Sequence, residues 1–376
     1  MRFLGKRKKQ DEAFSVQTAA SRPFSSMIPM AEGMSVCERR LYRELKERIP
    51  IIDAAINKLV RLTGGFSIVS EDEDCAQMLN DFLETVPVNG GGYGIGSFLS
   101  VYLDQLLTYG TAVGEMVTDR SGRQITALYN ASLDDAVITA GDNPLNVSIC
   151  RAGSSGAPEP VKYPALVMYS TILNEPGKIT GTSVLRGLPF VGELLMKIFC
   201  AIGTNWDRVG NVRFAVSYKP TENERSFSKE RAKQIASEWS KAMKSTEPKD
   251  FVSVGDVSIR VIGAENQIPD SGVPVRQLLE QIIAKLSVPP FLLGLSWSST
   301  ERMSAQQADI LTSEIDYYRK SLEGCIRKIC DMLLTLHGRR CRYRIKWENI
   351  NLQDEVELAR ARLLNAQAER YERDIK

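Results

Sequence analysis

Apolar residues recur at three- and four-residue intervals along much of this chain, most clearly over 272–287. There Leu278, Leu279, Ile282, Ile283 and Leu286 share one helix face, while Arg276, Gln277, Glu280, Gln281 and Lys285 gather on the other. Val288-Pro289-Pro290 ends this helix, because proline lacks an amide hydrogen and restricts the residue before it. Residues 291–302 read as a loop carrying Trp297, Ser298, Ser299, Glu301 and Arg302. A long helix from about Met303 to Leu336 follows, capped by Ser304 or Thr300 and stopped at Gly338.

Upstream, residues 1–34 are basic, then rich in Ser, Pro and Met, and read as an arm without a period. A charged helix runs from Ser35 to Arg48. Pro50 opens a second, with Ile52, Ala55, Ile56, Leu59 and Val60 on one face and Gly64-Gly65 as its end. Phe66 to Ser70 is a short strand. Glu71-Asp72-Glu73-Asp74 then leads into a helix from Cys75 to Val86, with carboxylates at its positive end. After a helix over 97–107, the segments 111–118 and 124–129 alternate like strands and are joined as a hairpin by 119–123. Further strands are expected at 136–139, 147–151 and 165–169, so 66–185 reads as a small α+β module.

An apolar helix occupies 188–203 and extends less clearly to Arg208. A compact α/β insert follows: a strand at 211–218, a polar turn at 219–225, a helix from Lys229 to Lys244 capped by Ser228, with Ile235 and Trp239 on its apolar side, and strands at 251–253 and 257–262. A strand at 342–347 and a charged helix at 351–376 close the chain. The whole reads as α+β, mainly helical, forming one multi-lobed subunit without internal repeats.

Composition narrows the function. Hydrophobic residues make up 43% and charged residues 25%, with a net charge of +2. A protein gripping DNA through many phosphates is usually more basic; one that lets DNA slide past need not be. Seven cysteines, an odd number with no Cys-x-x-Cys, and a single histidine argue against zinc and for buried thiols in a reducing compartment. The basic start, Met1 to Lys9, lacks the apolar core of a signal peptide, and 188–203 falls short of a membrane span and contains Glu193 and Lys197. A soluble protein of cytoplasmic origin is expected, with no membrane partner.

No catalytic constellation stands out. His337 beside Gly338 suits a helix end better than a general base. Asp134-Asp135 reads as turn carboxylates. The glycine-rich run 89–96 fits neither phosphate-loop pattern and reads as a flexible connector. No cofactor, metal or ATP site is expected; if DNA is moved here, the energy comes from a partner. In the basic run 339–346, Arg340, Arg342, Arg344 and Lys346 would share one strand face. A solvated strand or inter-subunit ion pairs is the bland reading of that face, and phosphate contact the sharper one. Trp297 reads either as a tucked anchor or as a contact to neighbouring subunits or a threading polymer.

Three motifs carry a resemblance: Leu286-Ser-Val-Pro-Pro-Phe-Leu-Leu-Gly294, Tyr109-Gly-Thr-Ala-Val-Gly-Glu-Met116 and Gly181-Thr-Ser-Val-Leu-Arg186. In order and lengths over about 50–350, the chain resembles the portal proteins of tailed double-stranded DNA bacteriophages, the head-to-tail connector family. The resemblance implies an N-terminal arm (1–34), a wing (35–187), stem helix 1 (188–210), a clip (211–270), stem helix 2 (271–290), a tunnel loop (291–302), the wing's long helix and strand (303–350) and a short crown helix (351–376). It implies a non-enzymatic homo-oligomeric ring of roughly twelve copies at one capsid vertex. By the same resemblance, the ring would pass double-stranded DNA, non-specifically, during packaging and ejection. It would dock the terminase large subunit and later a head-completion adaptor, and meet the major capsid and scaffolding proteins. Arg276, Gln277, Glu280, Gln281 and Lys285 would line the channel, with the two stem helices burying their apolar faces on each other and on neighbours. Clip residues Lys219, Glu222, Glu224, Arg225, Lys229, Lys233, Lys241 and Lys244 would dock the motor or adaptor. Another ring-forming virion or tail adaptor, or an enzyme with an unrecognised site, are the alternatives.

Overall fold

The computed structural model describes residues 35–141, 146–153, 157–210, 213–218, 257–262, 271–295 and 301–350, with five helical positions between 230 and 237. The chain divides into two units, one comprising 1–192 and 279–376, the other 193–278.

The first unit opens with α1 (Val36–Arg48) and α2 (Pro50–Leu62). Ser35 and Glu38 form a reciprocal capping box on α1, each side chain satisfying the other residue's backbone amide. α2 starts on Pro50 and buries Ile52, Ala55, Ile56 and Leu59, the face its spacing predicts. β1 (Phe66–Ser70) leads to α3 (Glu73–Thr85), capped by Asp72. β2 (Pro87–Val88) and β3 (Gly92–Tyr93) form a short antiparallel hairpin before α4 (Gly94–Tyr109). The glycine run expected to be a flexible connector is therefore part of a sheet. Gly94, at φ +77°, turns the chain directly against the Glu84 carbonyl, where a Cβ would approach to 2.9 Å.

β4 (Thr111–Thr118) and β5 (Ile125–Ala131) make the expected hairpin, its turn held by Asp119 accepting from the Arg123 and Gln124 amides. With β9 (Val167–Thr171) they complete a five-stranded sheet of order β3-β2-β5-β4-β9, in which β2 and β5 are parallel and the other pairs antiparallel. β6 (Ala136–Ala140), β7 (Val147–Ala152) and β8 (Pro158–Pro160) form a separate three-stranded sheet; the sequence pattern did not suggest β8. α4 backs the large sheet with Phe98 and Tyr102, whose rings stack 5.3 Å apart. Gly114 permits this, since a Cβ there would come within 2.7 Å of the Phe98 ring.

The long helix α7 (Glu301–Leu336) buries Leu311, Ile315, Leu322, Ile326 and Ile329 in the same core. It begins two residues before the expected start. β12 (Tyr343–Trp347) then returns to pair antiparallel with β1, Phe66 opposite Trp347 and Ser70 opposite Tyr343. Cys75 and Cys341 form a disulfide that braces this ribbon. That corrects the expectation of buried thiols throughout. Cys325 and Cys330 are buried, Cys150 is half-buried, and Cys37 and Cys200 are exposed. The expectation failed because 266 residues separate the bonded pair, and only strand pairing brings them together.

In the second unit, β10 (Arg213–Tyr218) and β11 (Val257–Ile262) pair antiparallel, matching the expected insert strands. Glu230, Lys233, Gln234, Ala236 and Ser237 are helical, in line with the expected 229–244 helix. Two helices run between the units' residues: α5 (Leu188–Gly210) and α6 (Gly272–Leu286). The arm (1–34), the strand expected at 251–253, Trp239 and the segment 351–376 lie outside the described residues.

Candidate functional site

The entry to α5 is built by two of the sequence motifs. α4 ends at Tyr109, and Gly110 takes the left-handed conformation (φ +75°) while its amide bonds the Leu106 carbonyl at 2.7 Å. The Gly181–Val184 segment is sewn to this end: Gly181 N to Thr111 Oγ1 at 3.0 Å, Ser183 Oγ to the Thr108 carbonyl at 2.6 Å, Val184 N to the Leu107 carbonyl at 3.1 Å. Ile172 bridges both, donating to the Gly110 carbonyl (2.9 Å) and accepting from Thr182 N (2.9 Å). A Cβ on either glycine would overlap backbone atoms of the other segment. Backbone packs on backbone here, which requires glycine on both sides.

From that junction α5 starts with Leu188 buried and Gly192 pressed against the Leu45 and Ile49 side chains of α1 and its cap. Leu195 is buried as well, but several large apolar residues of the helix are bare. Phe190 is 74% exposed, Trp206 63%, Phe199 46% and Leu194 40%. At about 100° per residue, Phe190 and Leu194 lie on one side and Phe199 and Trp206 on nearly the opposite side. Glu193 and Lys197 pair at 2.6 Å one turn apart. The stretch Leu188–Asp207, 20 residues of mean hydropathy 1.2, is long and apolar enough to cross a membrane by length and composition. The apolar helix expected to end at Gly203, carrying Glu193 and Lys197, continues without a break through Gly203 to Gly210.

α6 realises the expected amphipathic split. Ile282, Ile283 and Leu286 are buried, Leu278 and Leu279 half-buried, and Arg276, Gln277, Glu280, Gln281 and Lys285 all exposed. The stop is Ser287, a non-glycine residue at φ +53°, followed by buried Val288 and Pro289. Pro290–Leu293 then forms a 3-10 turn closed by Gly294 at φ +74°, its amide bonding the Phe291 carbonyl at 3.2 Å. The expected loop is thus a proline-initiated turn at its start and helix at its end. Trp297, Ser298 and Ser299 lie outside the described residues, and for Glu301 and Arg302 only the helical backbone is described. Of the proposed clip set, Lys233 is exposed on a helix; Lys219, Glu222, Glu224, Arg225, Lys229, Lys241 and Lys244 lie outside the described residues.

The candidate acids and the histidine take structural places. Burial alone would raise the Asp134 carboxyl, but hydrogen bonds from Arg43 and Arg39, both at 2.9 Å, hold it below its ordinary range. His337 is exposed at the end of α7, its amide bonded to the Leu333 carbonyl.

Arg319, not singled out by the sequence, is 6% exposed. Its Nε donates to the Thr63 carbonyl (2.9 Å), its Nη2 to the Glu348 carbonyl (2.8 Å), and its guanidinium lies 5.1 Å from the Trp347 ring centre. It ties the end of α2 and the exit of β12 to α7. One polar position among the apolar ones of a long helix gives no sequence signal of such a role.

No family model matches the chain, and no curated protein matches its sequence. Solved structures do. One is a chain in the neck of a native gene transfer agent particle computed with C12 symmetry, with a TM-score of 0.62 at 14% identity, covering 89% of this chain and 90% of that one. Another is in the virion of the native gene transfer agent particle, with a TM-score of 0.63 at 13% identity, covering 93% and 92%. A looser likeness (TM-score 0.43, 12% identity, covering 81% and 93%) is to an HK97-family phage portal protein from Corynebacterium diphtheriae, too distant to build on. At these identities the likeness establishes the fold.

Proposed function

We propose that this chain is the portal subunit of a tailed-phage-like virion, forming a ring at one capsid vertex through which double-stranded DNA is packaged and ejected. The supporting observation is the near-complete fold match to a chain of a particle neck computed with C12 symmetry. The exposed apolar residues on opposite sides of α5 support the ring. A cyclic head-to-tail assembly places a copy on each side of every subunit, and two bare apolar faces suit that arrangement.

In this reading α5 and α6 are the stem, and the exposed stripe Arg276, Gln277, Glu280, Gln281 and Lys285 faces the lumen. Its mixed charge favours passage over capture, since strong counterion release would hold the duplex in place. Residues 291–302 form the tunnel loop, and the insert carrying Lys219, Glu222, Glu224, Arg225, Lys229, Lys233, Lys241 and Lys244 docks the terminase large subunit and later a head-completion adaptor. The role is structural, without catalysis or cofactor. A second reading, a ring-forming adaptor of the neck without a role as DNA conduit, is favoured by the neck position of the matched chain.

Electron microscopy of the purified full-length chain tests the proposal. Rings with an axial hole of duplex width that co-purify with a packaging ATPase are expected. Monomers at micromolar concentration would overturn it, and rings that bind only tail components would favour the adaptor. Reversing Arg276 and Lys285 together should alter packaging or DNA retention; unchanged values would remove the stripe from the channel assignment.

A further inference from the structure

The run 340–347 alternates cations with apolar or half-buried residues: Arg340, Arg342, Arg344 and Lys346 with Cys341, Tyr343, Ile345 and Trp347. β12 (Tyr343–Trp347) turns the second half of this pattern into two faces, with Arg344 and Lys346 on one; Arg340 and Arg342 precede the strand. All four cations are exposed, while Cys341, Tyr343, Ile345 and Trp347 are half-buried. On β1, Ser67 stands opposite Lys346 and Val69 opposite Arg344, and both are exposed on the cationic side. Neither contributes an acid.

Among the described residues, no carboxylate makes an ion pair with any of the four. The exposed acids Glu71 to Asp74 follow β1, at the end of the ribbon near Arg342. Exposed Glu348 lies two residues beyond Lys346 at the other end, so the positive charge is least offset around Arg344.

The face is also held firmly. The Tyr343 hydroxyl donates to Asp331 Oδ1 at 2.7 Å, Phe66 and Trp347 rings sit 5.0 Å apart, Ser70 Oγ donates to the Arg342 carbonyl at 2.7 Å, and Cys341 is bonded to Cys75. Like charges lined up on one fixed face repel one another, and a solvated surface has no need to fix them. A polyanion relieves that repulsion.

We propose that the β12 face is a phosphate-backbone contact for duplex DNA, separate from the α6 stripe. Residues two apart on a strand are about 7 Å apart, so Arg344 and Lys346 stand that far apart on β12, with Arg340 and Arg342 in the segment just before it. A duplex carries a charge about every 1.7 Å of axis, so such a row meets phosphates in any register. Contacts to phosphates carry no sequence information, so binding through this face is sequence-independent. The inference takes only the source of the duplex from the portal reading, and ring assembly is measured separately from DNA binding.

The test is fluorescence anisotropy of the full-length chain with a 30-base-pair duplex over a salt series. Arg342→Thr, Arg344→Thr and Lys346→Thr are combined in one variant, threonine keeping the preference for an exposed strand. The slope of log affinity against log salt should shrink by about 3, with at least a tenfold loss of affinity at low salt. Arg120→Thr with Arg123→Thr, which removes two exposed cations from the β4–β5 turn, serves as the control and should change affinity less than twofold. An unchanged slope in the triple variant overturns the proposal while leaving ring formation to stand. Loss of rings with DNA affinity intact overturns it too, and assigns the face to an acidic surface of a neighbouring copy. A melting curve with unchanged cooperativity establishes that the triple variant is folded.

Discussion

The carbonyl oxygen of Gly110 occupies the space that a Cβ on Gly181 would need. Two segments 71 residues apart meet there without a side chain between them, and the meeting point fixes where α5 leaves the sheet. Gly181→Ala should cost about 3 kcal/mol or more in urea unfolding, because backbone must shift and the bond to Thr111 is lost with it. Gly110→Ala should cost as much, adding left-handed strain to overlap with Thr182. Gly122→Ala, also at positive φ but with open space around it, should cost only about 1 kcal/mol.

Arg319 should behave as a buried strut. Arg319→Met removes the donor to the Thr63 and Glu348 carbonyls, each costing about 1–3 kcal/mol if left without water. A loss of about 2–4 kcal/mol is expected, with a change in Trp347 emission as the cation leaves its ring. A loss under 0.5 kcal/mol would mean that water replaces the guanidinium fully.

The thiols should divide by position. In denaturant without reductant five thiols should titrate, and after reduction seven, with Cys75 and Cys341 as the difference. In the native protein Cys37 and Cys200 should react first. Burial pushes Cys325 and Cys330 up to about 12, so both should stay unmodified at pH 8.5. Their stabilising contribution is complete below the ordinary thiol range and is lost as pH rises through about 12.

Asp134 sets an acid limit. Its carboxyl is held low by Arg43 and Arg39 against the opposing effect of burial, so its contribution is present above the ordinary carboxylate range and disappears as pH falls through its folded value. Asp134→Asn should lower the melting temperature at pH 7, and the loss should shrink as pH falls through the carboxylate range. Equal losses across that range would make the contact one of packing rather than charge.

Apolar faces in the double mutant Phe190→Asp and Trp206→Asp should lose their partners. Size-exclusion chromatography is expected to show a shift from rings to monomers, with helical circular dichroism retained because both residues are exposed. Rings that persist would place the subunit contact elsewhere.

Much of this was legible in local pattern. The α2 and α6 faces, the β4–β5 hairpin and the β10 and β11 strands follow from apolar spacing and turn residues, which act within a few positions of one another. The 89–96 run misled because glycine permits both a flexible loop and the tight turns of a hairpin, and only the neighbouring Glu84 carbonyl and β5 select the second. The helix start at Glu301 was misplaced for a similar reason, since serine and threonine nearby offered equally good caps.

The order of residues alone settled which faces are apolar, where prolines stop helices and which side of β12 carries its cations, because those properties depend on periodicity. Tertiary structure decided which distant segments meet: Gly110 with Gly181, Cys75 with Cys341, β1 with β12, Arg319 with two carbonyls. Such meetings arise from packing a whole unit around one core, and no short-range preference encodes which partner fills a given space.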